Sequence, residues 1–465
     1  MNLLKLSTKL QLILMVCTVM VLFSCKKDIP DGDVTTEFRK ASDYDASALI
    51  EWNDVFLEVE RYAEGYRPGP APRALAYLGL SAYEGCISGM PEYRSFSGYW
   101  TGFSVPAANP DAEFCWPVVA NASYEFLMPR FFGRARAKDL QLMEITAKRI
   151  YDKYRTQVSA DVFERSVNRG REVAQSIWNW SVTDAVGHEH YLDPFQKYSW
   201  EAAFKKEGDW RPTFPGPGLP MGGIWGGARR FAINNDLMIC RPPLQYSTSA
   251  NSQLYAQALE VYSQNTPTLS YVAEWVGEFW SDDLLELTFS PGPRWIAIGN
   301  QVLVNEKSNL ETALLMNARV GMALNDASVG CWNSKYHYNV ERPQTYINRV
   351  IDPTWIPALY NPLTGDEGVT PSFPAYPSGH STMGAAGAEA LASIFGYSYA
   401  MTDRCHEKRT EFEGTPRSFP SFEEMALENA WSRVPLGVHF RMDCEEGVRY
   451  GKEIGRRVNN LPWRK

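Results

Sequence analysis

No CxxC pair occurs among the eight cysteines of the chain, and Cys86, Cys115, Cys240, Cys331, Cys405 and Cys444 stand far apart. A zinc framework built on paired thiolates is excluded by that spacing. Basic charge is short as well: 46 Lys and Arg against 54 Asp and Glu leave a formal charge of −8. Such a surface makes a poor main partner for nucleic acid, although a local cationic field can still hold a small anion. Strand-like alternation bounded by turn residues is scarce, and there is no repeat period or low-complexity tract. Beyond residue 24 no stretch is long and apolar enough to cross a bilayer. What remains is 45% hydrophobic and 22% charged, the balance of a folded protein. At 465 residues the chain exceeds one ordinary small core, so one large or two smaller domains are expected.

The amino-terminal residues form a separate segment. Lys5 and Lys9 precede an apolar run from Leu12 to Phe23, about half the length of a membrane-spanning helix. Residues 1–24 therefore read as an export signal. Leu22-Phe23-Ser24-Cys25 resembles a bacterial lipoprotein box, cleaved before a lipid-modified Cys25, with Phe23 bulkier than most such boxes carry. The expectation is a polar tether over 25–47 and a body anchored by lipid to a bacterial membrane. That membrane is expected to be the outer one, with the body on its periplasmic side or at the cell surface. Disulfides are permitted there, but spacing assigns none.

Helical spacing dominates the rest. It is clear over 48–64, 74–89, 113–128, 137–153, 160–182, 252–265, 270–281, 295–306, 309–329, 381–395, 423–433 and 439–458. The fold class is all-α, with helical bundles in two halves, 48–240 and 241–465. Residues 208–227, rich in Gly and Pro, read as a loop between the halves. A second such stretch over 353–379 contains six prolines, and loops of that length inside a compact domain are commonly functional.

Three segments carry chemistry. In Lys335-Tyr-His-Tyr-Asn-Val-Glu-Arg342-Pro343, a helix would put Lys335 and Arg342 on one face, two turns apart, with Pro343 ending it and His337 on the opposite face. In Pro377-Ser378-Gly379-His380, a helix amino-terminus offers free N–H groups and partial positive charge. Gly379 admits an anion to the backbone, Ser378 adds a hydroxyl, and His380 is a candidate acid–base. In Ser432-Arg433, five residues, then His439-Phe-Arg-Met-Asp443, the histidine and carboxylate are i and i+4 on a helix. Asp443 can accept Nδ1–H and leave Nε2 of His439 as nucleophile or ligand. Singly, the segments also read as an exposed basic pair, a capped helix and a surface His–Asp pair. Together they converge on a pocket for a tetrahedral oxyanion in the second half, with three cations, one helix amino-terminus and one histidine aimed at its centre. His188-Glu189-His190 has no third ligand at suitable spacing and reads as loop.

Set side by side, Lys-x6-Arg-Pro, Pro-Ser-Gly-His and Ser-Arg-x5-His-x3-Asp resemble the shared signature of three families. These are the type 2 phosphatidic acid phosphatases, the bacterial class A acid phosphatases and the vanadium-dependent haloperoxidases. The resemblance spans Lys335 to Asp443 and implies an all-α bundle. It also implies a His439 that is phosphorylated or binds vanadium, a catalytic set of His380, His439, Asp443, Lys335, Arg342 and Arg433, and oxyanion contacts from Ser378 and Gly379. Phe373-Pro-Ala-Tyr-Pro-Ser-Gly-His380 looks like the vanadium chloroperoxidase branch, and Trp332 with Phe373 looks like its halide pocket. The implied activity is oxidation of halide by hydrogen peroxide at a histidine-bound vanadate. Hydrolysis of phosphomonoesters through a phosphohistidine, with no cofactor, stays open, as does a non-catalytic lipid-anchored binding protein.

Overall fold

The computed structural model describes residues 38–195, 198–213, 219–266 and 268–465. The signal segment 1–24 and the lipidation site Cys25 lie outside the described residues. Five helices fill the first part: Ser47–Arg61 (α1), Pro70–Cys86 (α2), Trp116–Phe131 (α3), Ala137–Arg155 (α4) and Ala160–Ser181 (α5). After a single turn at Trp200–Ala203 (α6) come Gln253–Gln264 (α7), Tyr271–Phe279 (α8), Arg294–Asn305 (α9) and Leu310–Tyr338 (α10). Pro343–Val350 (α11), Gly379–Phe395 (α12), Phe422–Trp431 (α13) and Arg441–Asn459 (α14) complete the set. The strands described are two three-residue pieces, Met401–Asp403 (β1) and Arg417–Phe419 (β2), paired antiparallel with Met401 opposite Phe419. The all-α expectation holds. Among the described residues no helix is long and apolar enough to cross a membrane.

Helix starts follow local chemistry. Ser159, Ser252, Ser270 and Ser421 each accept a backbone N–H from three residues on, opening α5, α7, α8 and α13. Asn309 does the same for α10, taking the N–H of Thr312 at 2.9 Å. From Leu310 to Lys335 that helix is buried on nearly every side, the mark of a central helix. It packs along α2 on one flank and α12 on another. The apolar period suggests an end at Val329, where Gly330, Asn333 and Ser334 dilute it. Burial overrides that dilution and carries the helix to Tyr338.

Two boundaries differ from the sequence expectation. Ala41, Tyr44 and Ala46 are buried, and Ala46 donates its N–H to Ser308 O at 3.2 Å. The body therefore begins inside the stretch read as tether, because small and aromatic residues there find partners near the start of α10. The second difference concerns the halves. Arg39–Lys465 is one compact unit, with α2 from one half lying against α10 from the other. From the stretch read as the loop between the halves, Trp225 packs on that unit as well, donating its indole N–H to Ser328 on α10 at 3.0 Å.

A stripe of Gly447, Gly451 and Gly455 on α14 brings that helix close against α12. A Cβ at 447 would sit 2.6 Å from Ser381 Cβ, and one at 451 would overlap the Thr382 carbonyl oxygen. This close approach fixes the amino-termini of α12 and α14 beside each other, where Ser378 N–H meets Asp443 O at 2.9 Å. Gly451→Ala is expected to lower the unfolding free energy by about 1–3 kcal/mol, read from urea denaturation. A change within about 0.5 kcal/mol would show that the two helices are not so tightly apposed.

Candidate active site

The carboxyl end of α10 delivers Lys335, which is fully buried. Its ammonium donates to Pro374 O at 2.8 Å and Ala375 O at 2.9 Å, two carbonyls of the proline-rich loop. Lys335 and Arg342 do not share a helix as their spacing suggests. Asn339 takes a left-handed conformation (φ 52°) and returns its N–H to Lys335 O, closing α10. Arg342, extended as a residue before proline commonly is, precedes α11, which Pro343 opens rather than ends. The guanidinium still turns inward. Its Nε donates to Phe373 O at 2.9 Å and its Nη1 to Val438 O at 2.8 Å. The exposed His337 lies away from the buried Lys335, as expected.

Ser378 caps α12, its hydroxyl oxygen accepting the N–H of Ser381 at 3.3 Å. Gly379 lies against the Trp332 indole, where a Cβ would stand 3.1 Å from the ring. The adjoining His380 ring places Nε2 2.7 Å from Ser281 O. A carbonyl only accepts, so Nε2 carries the proton and Nδ1 keeps the lone pair. Burial, followed by the Arg433 charge, lowers His380 to about 4, so the ring is neutral near pH 7.

His439 and Asp443 meet, but not on one helix. His439 lies before α14, Phe440 is its N-cap and Asp443 is the third helical residue. The contact forms because Asp443 caps the helix: Oδ2 accepts Phe440 N–H at 3.0 Å and His439 Nδ1–H at 2.9 Å. Arg342 Nη1 stands 3.2 Å from Nε2 of His439, and a guanidinium can only donate, so Nε2 is the lone-pair nitrogen. Burial and then Arg342, Lys335 and Arg433 hold His439 well below the ordinary histidine range. The imidazole is a neutral ligand or nucleophile.

One residue of the site carries no sequence signal. Asp283, 150 residues before Arg433, accepts its Nη2–H at 2.6 Å and lies 3.8 Å from Nε2 of His380. A carboxylate after an apolar helix has no spacing to any motif, so only the fold brings it in. His188-Glu189-His190 stays outside the site. Among the described residues no cluster of His, Cys, Asp or Glu could hold a metal ion.

Arg342 Nη2, Arg433 Nε and Arg433 Nη1 are buried without hydrogen-bond partners. Buried guanidinium donors left unpaired are costly, and an oxyanion seated between them would satisfy all three. The donor set, the α12 amino-terminus and the lone pair on His439 Nε2 therefore fit a phosphate or vanadate. Trp332 and Phe373 pack with ring centroids 4.9 Å apart, and Lys335 Nζ stands 5.7 and 5.1 Å from those centroids. Above them opens a cavity of about 530 Å³ lined by Gly379, His380, Arg433 and His439 at one end. Arg67, Tyr191 and Phe195 contribute to its wall, so the region before residue 240 takes part in the site.

Fold and site together define a class: an all-α protein with buried cations gathered about a neutral histidine. Residues 315–462 match the family described as the VCPO second helical-bundle domain. The chain is 23% identical to the vanadium chloroperoxidase of Curvularia inaequalis over 490 residues, 86% of this chain and 80% of that protein. It superposes on the crystal structure of the first bacterial vanadium-dependent iodoperoxidase with a TM-score of 0.78 and 25% identity, covering 91% of this chain and 98% of the other. A bacterial vanadium-dependent chloroperoxidase in its holo form shares the fold at a TM-score of 0.58 and 15% identity, over 85% and 94% of the two chains. The chain thus has the helical-bundle fold of the vanadium haloperoxidases, and its residues 315–462 are similar to their second bundle.

Burial pulls the Lys335 ammonium down to about 7 and, in the same pocket, pushes the Asp443 carboxyl up. A bound oxyanion favours charged Lys335, so binding takes up a proton once the free pocket has lost it. Affinity for an oxyanion of constant charge, such as molybdate, should be flat below about pH 7. It should then fall by up to about tenfold per pH unit above it. Calorimetric titration across that range tests this. A dependence equally steep in Lys335→Met would assign it to another group.

Proposed function

We propose that this chain is a vanadate-dependent haloperoxidase, oxidising halide with hydrogen peroxide. The observation that carries the reading is the set of three partnerless guanidinium nitrogens facing a neutral His439. The vanadium haloperoxidases among its relatives support it. Arg342, Arg433, Lys335, Ser378 and the amides of Gly379 and His380 would hold vanadate, with Nε2 of His439 as its ligand through vanadium. Vanadate there supplies a Lewis-acidic centre that activates hydrogen peroxide toward halide.

The protein's own groups have distinct tasks. Nδ1 of His380 accepts a proton from hydrogen peroxide and returns it to the leaving oxygen. Asp443 fixes the His439 tautomer that keeps Nε2 unprotonated. Lys335, between carbonyls and two aromatic faces, supplies positive charge where halide approaches. Trp332 and Phe373 give that approach a dry wall, which strengthens the attraction of an anion to Lys335.

The donor set also suits a phosphomonoester, with His439 attacking phosphorus and His380 protonating the leaving alcohol. The aromatic pair beside Lys335 favours the halide reading, since a phosphate ester needs no apolar wall next to its cation.

Purified protein given orthovanadate, hydrogen peroxide and bromide is expected to brominate a dye, and to release no p-nitrophenol from p-nitrophenyl phosphate without vanadate. The reverse pattern would establish the phosphatase. His439→Ala should abolish turnover. His380→Ala should slow it by roughly a hundredfold or more while shifting vanadate affinity little. Lost affinity with normal turnover would remove His380 from the acid–base role.

A further inference from the structure

The turn after α8 gives three consecutive residues three different partners. Ser281 offers its carbonyl to Nε2–H of His380 at 2.7 Å, and Asp283 holds Arg433 at 2.6 Å. Asp282, between them, borders the same cavity, but its carboxylate is turned onto buried partners and the residue is 2% exposed. Its Oδ2 accepts from Arg294 Nη1 at 2.8 Å, and its Oδ1 lies 2.9 Å from His406 Nε2; a carboxylate only accepts, so Nε2 carries the proton there, although Arg294 Nη1 stands 2.9 Å from the same nitrogen. Its backbone is left-handed (φ 44°), which for a non-glycine residue persists only where the surroundings over-determine it.

The surroundings do so here. Arg294 Nη1 also donates to Phe279 O at 2.6 Å, the last residue of α8, and Nη2 donates to Asp403 Oδ2 at 2.8 Å. Asp403, on β1, is itself held through Oδ1 by Gln301 and by Cys405 N–H. The Arg294 guanidinium lies 4.1 Å from the Trp280 ring centroid, while His406 stacks on Phe289 at 5.3 Å. Arg67 reaches the other side of the turn, Nη1 donating to Asp282 O at 3.4 Å. Arg294, Asp282, Asp403 and His406 are all buried, and of the Arg294 donors only Nε lacks a partner.

Buried ionic clusters carry a desolvation cost and are weak sources of stability, while their directional bonds select one geometry. The geometry selected here ends at the Ser281 carbonyl. We propose that Asp282, anchored by Arg294 and His406, is a positioning residue: it holds the Ser281 carbonyl against Nε2–H of His380 and so keeps Nδ1 as the base nitrogen. Released from its anchor, Asp282 relaxes from its left-handed conformation and the carbonyl swings off. His380 then populates the other tautomer, with its proton on the nitrogen that must accept one. Arg433 keeps its Asp283 partner, because a long flexible guanidinium follows the carboxylate. The rate consequence rests on the haloperoxidase reading; the tautomer does not.

The test is ¹⁵N NMR of the full chain labelled at histidine, with the His380 signals assigned by their loss in His380→Gln. The native protein should show one tautomer, Nε2–H. Asp282→Gly accepts the left-handed backbone at no steric cost and so should fold, but it has no carboxylate. His406→Leu keeps the packing against Phe289 and Phe412 but lacks the donor. Both should show mixed tautomers, and bromination should slow by roughly tenfold or more with vanadate affinity within about threefold. His406→Gln, which restores an N–H toward Asp282, should recover the native tautomer and rate. Thermal melts confirm that each variant is folded at the assay temperature. A single native tautomer in folded Asp282→Gly and His406→Leu would overturn the proposal, as would a His406→Gln no better than His406→Leu. If no variant or native protein brominates, the haloperoxidase reading fails and the tautomer result still decides this one.

Discussion

Lys335, Arg342 and Arg433 are all fully buried around one pocket, and only Arg433 has a carboxylate against it, Asp283 at 2.6 Å. Lys335 and Arg342 are held by main-chain carbonyls, which satisfy N–H groups but do not cancel charge. Excess positive charge inside a protein is expensive, and the amino-termini of α12 and α14 add to it rather than relieve it. Much of the local structure is a response to that excess. Burial beside the cations keeps His439 neutral with its Nε2 lone pair available, and it draws down the Lys335 ammonium. A tetrahedral oxyanion answers the charge and the unpaired guanidinium donors at once.

The fold's contribution is to make this arrangement rigid. The central helix α10 carries Lys335 at its carboxyl end, and the glycine stripe of α14 sets the amino-termini of α12 and α14 side by side. Neither element would hold its place alone. The helices before residue 240 supply the other flank of α10, and their loops give the cavity part of its wall through Arg67 and Tyr191. The cavity is larger than halide and hydrogen peroxide need, and its aromatic floor lies next to the one lysine of the set.

The convergence of Lys335, Arg342, His380, Arg433 and His439 was legible in the sequence because these residues cluster in three short motifs whose spacing survives in any orientation. The same spacing misled about geometry. A spacing of seven from Lys335 to Arg342 suggests two helical turns, yet Asn339 breaks the helix and the two cations still converge. A spacing of four from His439 to Asp443 suggests a helical face, yet the contact is a cap formed across the helix start. Helix positions were legible from apolar period, with most ends within four residues; the exception is the nine residues beyond Val329, where burial overrode composition. Ser281, Asp282, Asp283, Arg294 and His406 were not legible. They bond to partners roughly a hundred or more residues away in several cases, and no local pattern records a pairing that only tertiary structure creates.

The most direct measurement is a crystal structure of the protein soaked with orthovanadate. Vanadium should lie at bonding distance from Nε2 of His439, with its oxygens accepting from Arg342 Nη2, Arg433 Nε and Arg433 Nη1. Vanadate bound elsewhere, or bound with those three nitrogens still unpartnered, would contradict an oxyanion pocket centred on His439.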